Sequence, residues 1–103
     1  MAELLRERGY DVATVSSAEQ AASSVQNRTP DAVVADAVPH GIDALRELEQ
    51  ARVRVPSIIV SGLPAFEPRI EAAIRQLRCA YLPKPLDLAR LMAWLRSATR
   101  SRP

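Results

Sequence analysis

The sequence predicts an α/β domain in which helices cover both faces of a parallel sheet. Three observations lead there. Short continuous apolar runs, AVVA at 32–35 and SIIV at 57–60, have the character of strands buried on both faces. Between and after them lie segments of about ten residues with apolar positions at helical spacing. Turn signals at Thr29-Pro30, Pro56, Gly62 and Pro83 to Pro85 punctuate the chain at short intervals, as one alternating fold requires. Strands alternating with helices imply βα units joined by right-handed crossovers.

Taken in order, residues 3–8 (ELLRER) read as the end of a helix stopped by Gly9. DVATV, 11–15, reads as a short strand. Ser17 and Gln20 resemble a capping box opening a helix over 18–27, whose Ala18, Ala21, Ala22 and Val25 share one shallow face. The 32–35 strand ends at Asp36, and a helix follows over about 42–51. Pro56 introduces the strand of Ile58, Ile59 and Val60, which ends at Ser61. A helix over 67–78 places Ile70, Ala73, Ile74 and Leu77 on one stripe. Ala80-Tyr81-Leu82 is a third buried strand, cut off by Pro83 and Pro85. The last helix opens near Asp87, with Leu88, Leu91, Met92 and Leu95 on one face and Trp94 beside that stripe.

A chain of 103 residues with 48% apolar content supports one domain with one core, read here as 1–98 followed by a solvated tail at 99–103. Cys79 is the sole cysteine and His40 the sole histidine, so no disulfide and no Cys/His zinc cluster arises within the chain. The 14 basic and 12 acidic side chains are spread over several helices, and Phe66, Tyr10, Tyr81 and Trp94 are the only aromatics, so no nucleic-acid surface is implied. No long apolar run is present, and the start MAELLRERGY lacks the stretch of a signal peptide, so a cytoplasmic protein without membrane contact is expected.

In parallel α/β sheets the ligand site lies at the carboxyl ends of the strands. Asp36 ends one strand, Ser61 the next, and Lys84 sits just past the third. An acid, a hydroxyl and an amine therefore converge on one edge. A carboxylate nucleophile can accept a phosphoryl group, lysine can pair with it and then with a phosphoryl oxygen as a point charge, and a hydroxyl can donate to another oxygen.

PDAVVAD followed by Pro39, then PSIIVSG, then AYLPKPLDLARL resemble the three signature segments of response-regulator receiver domains, over about residues 10–97. The resemblance implies a flavodoxin-like fold in which Asp36 is phosphorylated by a histidine kinase or phosphotransfer protein. It also implies that Ser61 is the switch hydroxyl, Lys84 the phosphoryl contact, Tyr81 the aromatic switch, and that Asp36 and the Val38 carbonyl are magnesium ligands.

Two features depart from the family pattern. In the family a first strand ending in an acid pair holds magnesium and occupies the middle of a sheet ordered 2-1-3-4-5. This chain opens inside the following helix, and Asp11 and Asp31, at strand starts, lie on the opposite edge. Magnesium affinity is therefore expected to be weak or absent, and unpaired strand edges are expected to invite a homodimer. The other face expected to carry signal or dimer contacts is 67–97. The loop after the acceptor is also altered, with Pro39-His40 and then Asp43-Ala44; His40 reads as a loop residue. The three signature segments support a phosphorelay receiver, a signalling module rather than an enzyme, while the missing acid pair supports the alternative that follows. The alternative is a pseudo-receiver that binds its partner without phosphorylation; an aspartate-nucleophile hydrolase lacks a second acid and a cap segment.

Overall fold

The structure, a computed structural model, describes residues 2–37 and 41–100. Its elements run α1 (Ala2–Glu7), α2 (Ala18–Asn27), β1 (Val33–Asp36), α3 (Ile42–Gln50), β2 (Ser57–Ser61), α4 (Pro68–Leu77), β3 (Ala80–Pro83) and α5 (Leu88–Arg100). The strands form one parallel sheet in the order β1-β2-β3, with Asp36 opposite Val60 and Ser61 opposite Pro83. Successive parallel strands lying side by side are what consecutive βα units give.

Helices cover both faces, as the sequence predicts. Ile59 faces a core made by Ala21 and Val25 of α2, Leu45 and Leu48 of α3, and Ile70 and Ala73 of α4. Ile58 and Leu82 face the opposite core, with Leu5 of α1 and Leu91, Met92 and Leu95 of α5. Trp94 rests half-buried against this second core. Each fully buried leucine, isoleucine or methionine of these two cores stabilises the fold by about 1.5–3 kcal/mol.

Only β2, the middle strand, is buried on both faces. In β1 only Ala35 is buried, while Val33 and Val34 are half-exposed, because an edge strand has a neighbour on one side alone. Residues 11–15, expected as a strand, join no ladder among the described residues. A parallel strand needs a hydrogen-bonded neighbour, and side chains secure this segment instead. Arg6 Nη2 donates to the Val12 carbonyl at 2.9 Å, Arg28 pairs with Asp11 at 2.8 Å, and Tyr10 and Val12 rest on the α1/α5 core.

Local chemistry sets the helix ends. Ser17 Oγ caps α2 by accepting from Gln20 N at 3.1 Å, while Gln20 Oε1 accepts from Ser16 N at 2.9 Å, one residue upstream of a standard capping box. Helix α4 begins with Pro68, where a missing N–H costs nothing, and Glu67 caps it from outside. Asp87 Oδ1 accepts from Arg90 N at 3.2 Å ahead of α5. That helix continues through Thr99 and Arg100, two residues expected in the tail; Thr99 Oγ1 donates to the Leu95 carbonyl. Among the described residues no helix is long and apolar enough to cross a membrane.

Candidate functional site

The parallel register brings the three strand-end residues together. Because all strands run the same way, Asp36, Ser61 and Lys84 emerge on one edge of the sheet. Lys84 Nζ donates to Asp36 Oδ2 at 2.7 Å across 48 residues of sequence. Both side chains are about half-exposed, 44% for Lys84 and 52% for Asp36, so the pair is open to a macromolecule approaching the edge. The Lys84 amide also donates to the Ser61 carbonyl at 2.8 Å, which ties the lysine backbone directly to the end of β2. The Lys84–Pro85 peptide is cis.

Ser61 is nearly completely buried, at 2% exposure. Its Oγ accepts from Leu63 N at 2.9 Å, which engages an oxygen lone pair and leaves the hydroxyl proton able to donate elsewhere. Tyr81 is half-buried on β3, and its hydroxyl donates to the Leu63 carbonyl at 2.5 Å. Leu63 is thus held on its amide by Ser61 and on its carbonyl by Tyr81. The two residues expected as switches meet on one residue of the β2–α4 loop. Sequence reasoning missed Leu63, because both of its contacts are through backbone atoms, which leave no side-chain signal.

The same loop ends at Glu67, whose Oε2 accepts from Arg69 N at 3.0 Å and Ile70 N at 3.1 Å. Desolvation pushes its carboxyl up, but the hydrogen bond from Ile70 and the bonds and charge of Arg69 outweigh it and hold the group below its ordinary value. An acid directly before a proline at a helix start was the available signal for this cap. Between these anchors Phe66 is 78% exposed. Burial pushes the Cys79 thiol up; its Sγ lies 3.6 Å from the Ala73 carbonyl.

The resemblance implies magnesium at Asp36, and the donors present do not fit it. The ion requires several oxygens in near-octahedral geometry, yet Asp36 is paired with an ammonium group, and no group of three or more His, Cys, Asp or Glu side chains that could hold a metal occurs among the described residues. Val38, whose carbonyl the resemblance makes a second ligand, lies outside the described residues, as do Pro39 and His40.

A family model described as "Response regulator receiver domain" matches residues 1–96. The chain is 36% identical over 98 residues to the transcriptional regulatory protein ZraR of Escherichia coli O157:H7, covering 92% of this chain and 22% of ZraR. It is 34% identical over 106 residues to the transcriptional regulatory protein TcrA of Mycobacterium tuberculosis strain H37Rv, covering all of this chain and 42% of TcrA. The chain therefore spans less than half the length of these curated relatives. Among solved structures, NtrX from Brucella abortus, crystallised with ADP, superimposes with a TM-score of 0.81 at 25% identity over 97% of this chain and 23% of NtrX. The receiver domain of the Francisella response regulator 1452 superimposes with a TM-score of 0.75 at 25% identity, over 94% of this chain and 83% of that domain.

Proposed function

Given that the chain belongs to the response regulator receiver domain family of two-component signalling, we propose that it relays a phosphoryl group through Asp36. Domains of this family interact with histidine kinases or phosphotransfer proteins. The observation that carries the reading is the 2.7 Å contact of Lys84 Nζ with Asp36 Oδ2 at the carboxyl ends of the two outer strands, with Ser61 at the end of the strand between them.

In this reading an Asp36 carboxylate oxygen attacks the phosphorus of a phosphohistidine. The O–P bond forms as the P–N bond breaks, and the leaving imidazole nitrogen takes up a proton from water. Lys84, already on the carboxylate, moves its charge onto a phosphoryl oxygen, where a cation stabilises the negative charge of the transferring group. Ser61 turns its hydroxyl proton toward a second phosphoryl oxygen. A change at Ser61 reaches Leu63, and through it the Tyr81 hydroxyl. That gives the site a physical route to the α4–β3–α5 face at 67–97, the surface through which the domain signals in the cytoplasm. The transcriptional regulation that the names of ZraR and TcrA state belongs to whole proteins of which this chain spans less than half.

The test is incubation with acetyl phosphate and magnesium followed by intact mass measurement. An adduct of one phosphoryl group that disappears in Asp36→Asn is expected; no adduct, or one that survives the substitution, removes the reading. The poor magnesium donor set among the described residues favours a second reading, a phosphorylation-independent pseudo-receiver, and an unchanged partner affinity in Asp36→Asn would decide for it.

A further inference from the structure

Beyond the three strand-end side chains, we infer that Gly41 is a positioning residue for Asp36: the absence of a side chain at 41 lets the start of α3 close against the acceptor's backbone. The inference rests on the phosphoacceptor reading for its importance, though not for its geometry. Gly41 is the N-cap of α3 with φ −63° and ψ −42°, an ordinary right-handed conformation that any residue adopts. Its backbone angles therefore give no reason for glycine. Space does. A Cβ at 41 would collide with the Asp36 carbonyl oxygen and would lie 2.5 Å from the Asp36 carbonyl carbon and 3.2 Å from the Asp36 nitrogen. These are backbone atoms, which cannot swing aside as the end of a long side chain can.

Packed residues flank both partners of the contact. Helix α3 is fixed by Leu45 and Leu48, each 4% exposed, and Ala35 and Ala37 on either side of the acceptor are buried as well. The contact is made to the backbone of Asp36 at the end of its strand, so a shift there moves the carboxylate that pairs with Lys84. A side chain at 41 displaces Asp36 and takes its carboxylate away from Lys84. The other glycine on this edge, Gly62, has nothing within 4 Å of its added Cβ and serves as a matched control.

The experiment compares wild type, Gly41→Ala and Gly62→Ala in two assays. Zero-length carbodiimide coupling joins a carboxylate to an amine in direct contact, so wild type yields an Asp36–Lys84 isopeptide detectable by peptide mass mapping, independently of any phosphorylation. Acetyl phosphate labelling gives the maximal rate separately from the half-saturating concentration. In Gly41→Ala the crosslink is lost and the maximal rate falls about 10- to 100-fold, the scale of a misplaced reacting group, with circular dichroism and a cooperative melt retained; Gly62→Ala keeps both activities. A folded Gly41→Ala protein that crosslinks like wild type overturns the inference, and so does one that fails to fold, since the glycine would then serve the fold and not the acceptor. If wild type crosslinks but takes no phosphoryl group, and Gly41→Ala loses the crosslink, positioning stands while the phosphorelay reading falls.

Discussion

Lys84 Nζ and Asp36 Oδ2 are 2.7 Å apart although 48 residues separate them. Both side chains are about half-exposed, where an ion pair contributes about 0–1 kcal/mol, so the contact does little for stability, and on the phosphoacceptor reading its consequence is chemical. In Lys84→Ala the melting temperature stays within a few degrees of wild type, whereas acetyl phosphate labelling slows by about an order of magnitude or more. Thermal melts read beside intact mass separate the two effects. Equal loss in both would mean that the pair is structural.

Ser61→Ala removes the acceptor for the Leu63 amide, and Tyr81→Phe removes the donor to the Leu63 carbonyl. Each loss costs about 0.5–1.5 kcal/mol. Because both contacts act on Leu63, the double variant is non-additive. Urea denaturation of the four proteins in the cycle measures the coupling; strict additivity would show that the loop does not link the two side chains.

Leu91 is fully buried between α5 and the sheet, in the core it shares with Ile58 and Leu82. Leu91→Ala leaves a cavity and destabilises the protein by about 2–5 kcal/mol, a large share of the stability of a domain this size. Chemical denaturation should show a lower midpoint with an unchanged slope.

Glu67 caps α4 with its carboxyl held below its ordinary value of 4.5. A depressed folded-state pKa contributes stability that is fully present above the unfolded-state value and is lost as pH falls through the folded-state value. Wild type therefore loses this contribution on acidification below about pH 4.5, while Glu67→Gln starts lower and changes less over the same interval. Melting temperatures from pH 7 to pH 3 in both proteins check the sign: the two curves should converge in acid.

Cys79 is 6% exposed, and its thiol is pushed up by burial. Only the thiolate reacts with an aromatic disulfide reagent, so the native protein is inert at neutral pH and reacts at the rate at which it opens. Modification should follow the urea unfolding curve; rapid labelling without denaturant would mean that the α4–β3 junction opens locally.

The sequence by itself determined the alternation of strands and helices, the apolar stripes of α4 and α5, and the residues that end each strand. All of these are local: periodicity records which face is buried, and a polar residue directly after an apolar run records where a strand stops. The order Asp36, Ser61, Lys84 was legible for the same reason. Only the tertiary structure decided what depends on neighbours. DVATV has the composition of a strand, but a strand exists only when another pairs with it, and no ladder among the described residues includes it. AVVA reads as buried on both faces, yet at the edge of the sheet Val33 and Val34 are half-exposed and only Ala35 is buried. Leu63 as the meeting point of Ser61 and Tyr81, and Gly41 closed against Asp36, involve backbone atoms brought together by folding. Residue type encodes what a side chain can do, while the distance between two strand ends is set by register and packing across the whole domain.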